Sequence, residues 1–491
     1  MCNENETTQL IPLVDDGGGE SKRAGSGKPM NRQTSYDSIA SFSEALSESM
    51  QRIGVLGSVA IAVNSLTGPA MLTLPATYQR SGLIPTTAAI VFICILSAFC
   101  CLHMSNTISK VQHNHDFSLD IGYSECFRRL WGPKSYNFTQ VLFFLCVTFL
   151  NVSSIVDTAE VVDTFFGHWV STGTMAINFQ WIDNQLSVRL TNWDYSNCSE
   201  ESLIAGECVP YHGATGILLT SGYVVTLLTF LPMALMDLKE NAVMQVVGFL
   251  VLLVTSCGFI VLFLSEGLKT GNLSLWGTEW GSLFGVILFN FALVIAIPAW
   301  LYEKEPHVNV PVVIHSSSLL TSILYISIGV LGAITVPHAS QNMLESLMSG
   351  VFGTAIQLCS SLFAFFIIGL GCPLFSVLAR MNLTDGNALM SRNVANGLAV
   401  YMPFFFSWIF YNGDAIIKLL SWGGIIFTSL LAFVLPLLLS LHSLERGDVD
   451  GSVNVYKPWS VTSKRTQKKM LLALLGLAIA SIFAAILGNI T

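Results

Sequence analysis

Charged residues are scarce in this chain of 491 residues, because Asp, Glu, Lys and Arg together make up only 11% of it. Soluble proteins carry about 25% of these residues. Hydrophobic residues make up 52%, and the mean hydropathy is +0.61. The scarcity of charge excludes an ordinary soluble domain and the basic surface that nucleic-acid binding requires. The net charge of −8 says little about partners.

Sequence signals of catalysis and of a cleavable leader are also missing. The chain has no Cys/His metal spacing, no nucleophile elbow and no phosphate-binding loop, so we predict no enzyme, no cofactor and no metal site. The first apolar stretch begins beyond residue 50, too late for a cleavable signal peptide. We therefore expect the first membrane span to act as a signal anchor.

What the chain does have is about eleven apolar segments near the ~20 residues that cross a bilayer. These are 53–78, 83–107, 138–164, 214–236, 242–266, 283–301, 312–335, 350–379, 394–411, 414–441 and 469–488. The fold class predicted is an all-α polytopic membrane protein embedded in the lipid bilayer. With a cytosolic N-terminus, every Lys and Arg except Arg80, Arg189, Lys269 and Lys418 falls in a cytosolic segment, as the positive-inside rule requires.

The segments outside the spans divide into tails and loops. Residues 1–50 are polar and predict a disordered cytosolic tail, and 442–468 predict a cytosolic loop before the eleventh helix at 469–488. Within the tail, Glu6-Thr7-Thr8-Gln9-Leu10-Ile11 fits an acidic dileucine sorting pattern, and an incidental match is the alternative. The expected location is a vacuolar or lysosomal membrane, or the plasma membrane.

The extracytosolic loop 165–213 contains Cys198 and Cys208 next to a glycosylation sequon at Asn197. An oxidising compartment favours a disulfide between these cysteines, and a sequon marks an accessible loop. Two free cysteines and an unused sequon are the alternative.

Gly68-Pro69 and Pro75 interrupt the first span inside an otherwise apolar stretch. Proline removes a backbone donor, so the helix is expected to open near residues 65–69. Irregular backbone at membrane depth persists only where protein or a water-filled cavity satisfies it, which predicts a polar site. The alternative is a kink in a packed helix that neighbouring helices satisfy.

Span six repeats this pattern with Asn290 in mid-span and Pro298 close behind. Interrupted helices at corresponding positions of two halves point to a transporter with inverted repeats. We predict one five-helix repeat over 51–267 and an inverted second repeat over 283–441.

An unwound helix offers carbonyls to an ammonium group and N–H groups to a carboxylate, so a zwitterionic amino acid fits it. Candidate substrate-binding residues are Ser65, Leu66, Thr67, Gly68, Ala70, Asn151, Asn290 and Phe291. Ser153 and Ser154 are further candidates for lining the site.

The motif Asn64-x3-Gly68-x3-Leu72-x-Leu74-Pro75, followed by Gly82, resembles the first span of the amino acid/auxin permease family. Looser matches at Met236-Asp237-Leu238-Lys239, Pro298, Pro373 and Trp422-Gly423-Gly424 extend the resemblance over about residues 50–488. It implies a LeuT-like fold of the amino acid–polyamine–organocation superfamily and secondary active transport of an amino acid with a proton or sodium ion.

Residues for ion binding are carried over unevenly by this resemblance. Asn64 matches a family sodium ligand, but Gly371 stands where sodium-coupled relatives have a hydroxyl two positions before the proline of span eight. This departure favours proton coupling, unless Ser360 and Ser361 compensate; those two serines can equally serve close helix packing. Sodium coupling, or an amino acid sensor without transport, remains the alternative.

Three carboxylates, Asp157, Glu160 and Asp163, lie about one turn apart towards the outer end of span three. They can relay protons, but their position near the membrane interface favours a solvated rim.

Overall fold

The computed structural model describes the chain in segments that begin at Arg52. They are residues 52–67, 69–182, 185–205, 208–211, 213–268, 270–280, 283–336, 339, 343–385, 390–411, 422–423, 426–446, 451–453, 455 and 463–490. The predicted tail 1–50, Gly68 and Lys418 lie outside them.

Most described residues are helical. Helices α1 to α6 are Val55–Leu66, Leu74–Ser81, Leu83–Ser109, Tyr123–Trp131, Pro133–Trp169 and Glu200–Ala205. Helices α7 to α12 are Ser221–Ala234, Leu238–Ser265, Leu283–Asn290, Ile297–Glu303, Val310–Thr335 and Met343–Met348. Helices α13 to α18 are Thr354–Phe363, Gly371–Thr384, Arg392–Asn396, Met402–Phe410, Leu435–Arg446 and Lys464–Ile490. Short 3-10 turns are Pro69–Leu72, Tyr195–Asn197, Thr270–Asn272 and Leu293–Ile295, and π-helical turns are Ala364–Ile368, Gly397–Tyr401 and Leu430–Val434.

Eight helical stretches within the described residues are long and apolar enough to cross a bilayer. They are Leu83–Ser109, Pro133–Trp169, Leu238–Ser265, Leu283–Glu303, Val310–Thr335, Thr354–Thr384, Ile426–Arg446 and Lys464–Gly488. Predicted spans one, four and nine contain helices that are broken or shorter, so the total of eleven stays a prediction. The structure confirms a mostly helical, multi-pass membrane protein.

The outward faces of these helices agree with contact to lipid. On α8, Val254 and Val261 are 71% and 63% exposed, while Phe259 on the same helix is completely buried. Exposed apolar surface of this extent would be unfavourable in water and is suited to a hydrocarbon environment. The hydrophobic core lies between the helices.

The first predicted span is interrupted where its Gly-Pro pair predicts. Helix α1 ends at Leu66, Thr67 is extended, and α2 begins only at Leu74 with Pro75 in its first turn. Proline is tolerated there because the first helical N–H groups have no partner within the helix. The second interruption lies between Asn290, the last residue of α9, and Ile297, the first of α10.

Gly82, part of the family motif, connects α2 to α3 with φ +90°. A Cβ atom there would lie 2.4 Å from the backbone nitrogen of Gly277. Glycine is therefore required both by the backbone conformation and by the close approach of the segment before α9.

The strands among the described residues lie in the predicted extracytosolic loop 165–213 and at the start of predicted span four, and the all-α prediction did not include them. The sheet that they form is called the outer sheet after the predicted side of that loop. Strands β1 (Thr174–Ile182), β2 (Gln185–Trp193) and β3 (Ile217–Thr220) form an antiparallel sheet in the order β2-β1-β3. Because β3 precedes α7, the start of predicted span four is strand rather than helix. Similarly, α17 continues to Arg446 and α18 begins at Lys464, so helix occupies both ends of the predicted loop 442–468.

Arg380 connects the end of α7 to α14. Its buried guanidinium group donates to the carbonyl oxygens of Ala234 at 3.3 Å and Leu235 at 3.1 Å, and to Met236. These carbonyls belong to the last residue of α7 and to the two residues after it, where a helix leaves its carbonyl groups without partners of its own. Arg380 thereby supplies hydrogen-bond donors to carbonyl groups at the C-terminal end of the short apolar helix α7.

Candidate functional site

A cavity of about 70 Å³ lies between the two helix interruptions, which places it at the position that the broken spans predict. One ordered water needs roughly 10–15 Å³, so the cavity accommodates several waters or a small polar group. Its wall combines residues of α1, α5, α8 and α14, the segment from Asn290 to Ala296 and the π-helical turn before α14.

The first interruption contributes Asn64, Ser65, Leu66 and Thr67 to this wall. Ser65 and Thr67 direct their hydroxyl groups back to carbonyls one turn earlier, Ile61 at 2.7 Å and Val63 at 2.9 Å. Predicted residue Ala70 lies in the 3-10 turn Pro69–Leu72 after the interruption. The predicted contribution of Gly68 lies outside the described residues.

Asn64 is fixed in place by Gln245 of α8, a residue that the sequence analysis missed. The Asn64 Nδ2 donates to both the backbone oxygen and the Oε1 of Gln245, each at 2.8 Å. Gln245 in turn donates to Asn241 at 2.9 Å and to the backbone of Leu370 at 3.2 Å. The Asn64 Oδ1 is buried without a partner among the described residues. An oriented amide oxygen therefore remains for a donor or a cation.

The second interruption contributes a matching group. Asn290 donates from Nδ2 to the Val286 carbonyl at 2.9 Å, which leaves its buried Oδ1 without a partner in the described part of the chain. Phe291 follows it but does not line the cavity: its ring lies edge-on to Tyr325, with ring centroids 5.7 Å apart, and its carbonyl accepts from Ser97 at 2.8 Å. The Tyr325 hydroxyl donates to the carbonyl of Leu66, the last residue of α1.

Helix α5 contributes Ser153, Ser154 and Asp157. Ser153 donates to the Asp157 carboxylate at 3.3 Å. Asp157 is half-buried and lines the cavity, whereas Asp163 is fully buried, so the solvated rim predicted for these acids is wrong for Asp163. Asp163 accepts hydrogen bonds from Gly222 at 2.8 Å and Tyr411 at 2.7 Å.

Helix α14 contributes Gly371, next to Ser154: a Cβ atom at position 371 would lie 3.2 Å from the Ser154 Oγ. The predicted ion ligands Ser360 and Ser361 do not line the cavity, because they bond to the carbonyls of Ile356 and Gln357 within their own helix.

Asn151 also lies apart from the cavity. Its Nδ2 donates to Ser376 Oγ at 2.8 Å, which connects α5 to α14. The predicted substrate residues therefore divide: Ser65, Leu66, Thr67 and Asn290 meet at one cavity with Asn64, whereas Asn151 and Phe291 pack behind it.

Above the cavity, Glu345 of α12 is buried and accepts from Thr164 at 3.2 Å. Burial raises the pKa of Glu345 to about 8, and the nearby charge of Asp157 acts in the same direction. Glu160 and Tyr195 also interact electrostatically with this carboxyl group. A cluster of acidic groups therefore lies between the cavity and the outer sheet.

In the outer loop a disulfide joins Cys198 to Cys208. Asn197, the predicted glycosylation site, ends the 3-10 turn immediately before Cys198. Within the described residues no group of three or more His, Cys, Asp or Glu side chains has the arrangement of a metal site.

The described wall of the cavity supplies mainly acceptors: two amide oxygens, a carboxylate and the C-terminal ends of α1 and α9. Helix C-termini carry partial negative charge, so these groups favour an ammonium group, a metal cation or a proton. Leu150, Ile295, Ile367 and Phe375 provide an apolar surface opposite them.

No known family model and no curated protein matches the chain. Its fold and its helices define a multi-pass membrane protein with a polar cavity between broken helices.

Proposed function

We propose that the protein is a secondary active carrier of neutral amino acids, coupled to protons, of the amino acid/auxin permease type. The observation that carries this proposal is the cavity between α1 and α9, where two apolar helices end and two buried amide oxygens have no partner among the described residues. Paired broken helices around a midplane site are the recurring architecture of such carriers. We accordingly propose a LeuT-like arrangement of two inverted five-helix repeats plus one helix.

The acceptors of the wall suit the ammonium group of an amino acid substrate. The apolar surface formed by Leu150, Ile295 and Phe375 suits an uncharged side chain, since a charged one would remain unpaired there. The substrate carboxylate is assigned to backbone N–H groups after the first interruption. Alternating access then follows from movement of the broken helices against the others. The N-terminus and the region 442–468 are assigned to the cytosol.

Asp157 supports proton coupling, because a carboxylate at the wall of a membrane cavity can bind a proton and release it on the other side. Sodium coupling is the second candidate. It is favoured by one observation: Ser154 places a hydroxyl beside Gly371, where the family's sodium ligand is missing.

The test is uptake of radiolabelled neutral amino acids by proteoliposomes under an imposed proton gradient or an imposed sodium gradient. Proton-driven accumulation is expected. The variant Asp157→Asn should lose accumulation while retaining exchange of labelled for unlabelled substrate, because exchange does not require net proton movement. Glu266→Gln, at an exposed carboxylate, is the matched control and should behave as wild type.

Accumulation driven by the sodium gradient alone would show that the coupling ion is sodium and not the proton. Binding of an amino acid without any flux would overturn transport and favour a sensor. Unchanged accumulation by Asp157→Asn would remove Asp157 from the coupling mechanism.

A further inference from the structure

A second and much larger cleft, of about 810 Å³, opens at the end of the molecule where α3 ends and α4 begins. Its wall includes four side chains with permanent positive charge: Lys110, Arg128, Arg129 and Arg446. One carboxylate, Glu125, also lies in the wall. Arg128 and Arg129 bind this buried carboxylate at 2.6 Å and 2.8 Å. The wall therefore has more positive than negative charge.

Beyond the wall, the described acids of this region include Asp385, Asp120 and Glu445. Asp385 interacts with Arg129, but burial raises the pKa of Asp385 to about 7, so near neutrality this carboxyl group is partly protonated. The charge of Asp120, an exposed residue, raises the pKa of Asp385 further. Glu445 is bound to Lys468 at 2.7 Å rather than to the cleft.

The cleft has a fixed shape on its loop side. Asn114 is buried, donates to the Ile108 carbonyl at 3.2 Å and accepts from the Leu119 N–H at 2.9 Å. His113 and Phe117, on either side of it, have positive φ values of 62° and 64°. Non-glycine residues adopt this conformation only where the surroundings impose it. The wall containing Lys110 and His113 is thus formed before any ligand binds.

Exposed residues of α4 and of the start of α5 indicate the depth of the cleft, because Trp131 directly follows the wall residue Leu130 in sequence. Phe138 and Val141 are each 61% exposed and form apolar surface suited to lipid chains. Trp131, 42% exposed, stacks on His442 with ring centroids 5.1 Å apart. Tryptophan concentrates at the membrane interface, so the cleft lies at the depth of lipid headgroups.

We propose that this cleft binds the phosphorylated headgroup of an anionic lipid, such as a phosphoinositide. A phosphomonoester carries about −1.5 to −2 charges at neutral pH, which matches several clustered cations better than a single phosphodiester does. Arginine forks bind phosphate oxygens in pairs, and basic clusters beside membrane helices are typical sites for such lipids. The proposal is independent of the transported substrate.

The test uses the purified full chain and short-chain phosphatidylinositol bisphosphate, with binding measured by native mass spectrometry or by fluorescence titration. Binding to wild type is expected. Lys110→Gln with Arg446→Gln should weaken it about thirtyfold, because each cation near a membrane surface contributes roughly a fivefold factor. These two substitutions leave the pairs of Glu125 with its arginines intact.

Arg465→Gln with Lys469→Gln is the matched control, because both residues are exposed on α18 and neither lines the cleft. This variant should bind lipid as wild type does. Equal losses in the two double variants would overturn the site, leaving nonspecific attraction. Inorganic phosphate or soluble inositol phosphate binding as tightly as the lipid would assign the cleft to a soluble anion and overturn the lipid proposal.

Discussion

Gly371 leaves space for the hydroxyl of Ser154 at the cavity wall, since a Cβ atom there would already lie 3.2 Å from the Ser154 Oγ. A longer side chain at this position would therefore occupy the cavity. We predict that Gly371→Leu abolishes uptake, with at least a tenfold loss, while the protein is still inserted in the membrane. Proteoliposome uptake normalised to protein content measures this.

Gly476→Leu provides the comparison, because no atom lies within 4 Å of a Cβ placed at Gly476 of α18. It adds the same side chain to a membrane helix and should leave uptake unchanged. Substantial uptake by Gly371→Leu would contradict the assignment of the cavity as the substrate site.

Glu345 gives a prediction about pH. Because burial raises its pKa to about 8, the folded state holds a proton that the unfolded chain releases above its ordinary pKa of 4.5. Preferential binding of this proton by the folded state contributes to the free energy of unfolding. The contribution is complete below about pH 4.5 and is lost as the pH rises towards 8. We predict that the apparent unfolding temperature falls over this range and that Glu345→Gln, which stays neutral, reduces the fall.

Scanning fluorimetry across the pH range measures the difference between variant and wild type, which removes the contributions of other acids such as Asp385. Glu266→Gln serves again as the exposed control. Equal slopes for Glu345→Gln and wild type would refute the proposed titration.

Among the elements, the broken helices are the part most readily predicted from sequence. Proline and glycine act locally, so Pro75 and Pro298 indicate interruptions without any knowledge of neighbouring helices. The π-helical turn at Ala364–Ile368, whose residues Ile367 and Ile368 line the cavity, has no comparable signal. It follows from packing around the site, where such turns are frequent.

The depth of Asp157 illustrates why the rest was missed. From apolar composition, span three was predicted to end near residue 164, and Asp157 was therefore expected close to the membrane interface. Helix α5 continues to Trp169, about 18 Å beyond Asp157 at ~1.5 Å per residue. Asp157 therefore lies about three turns before the end of its helix, which apolar composition alone does not indicate.

The outer sheet itself had a usable signal. Two runs with alternating polar and apolar residues flank Asp183-Asn184, a pair typical of two-residue hairpin connections. Aromatic residues at the end of β2 then connect the sheet to α5, since a Cβ atom at Gly167 would overlap the Trp193 ring at 2.4 Å.

The disulfide stabilises a separate part of this outer region. Cys198 and Cys208 are ten residues apart. In the chain-entropy model, closing a loop of that length lowers the entropy of the unfolded chain and raises the free energy of unfolding by about 2–3 kcal/mol. We predict that Cys198→Ser with Cys208→Ser makes the loop 165–213 sensitive to proteolysis at lower temperature and leaves uptake unchanged, because neither cysteine lines the cavity.

Limited proteolysis followed by mass spectrometry measures this, with Cys257→Ser, an exposed unpaired cysteine, as the control. Equal protease resistance of the double variant and wild type would show that the bridge contributes little.

At the scale of the whole molecule, hydropathy predicted the eight long apolar helical stretches of the described residues, because the bilayer imposes a minimum apolar length on each span. Hydropathy does not indicate which faces meet. The pairing of Asn64 with Gln245 joins residues far apart in sequence, and only the packed arrangement of α1 against α8 reveals it. The candidate site was therefore predicted in its broken helices and missed in its supporting residues.

Asp163 has one further consequence. This single carboxylate accepts from Thr174 at the start of β1, from Gly222 in α7 and from Tyr411 after α16, so the sheet and the ends of these segments are joined rigidly at one buried point. The exposed face of the hairpin is accordingly an epitope of constant shape. An antibody fragment raised against it would serve as a fiducial for cryo-electron microscopy of this small membrane protein, marking its orientation without selecting one conformation over another.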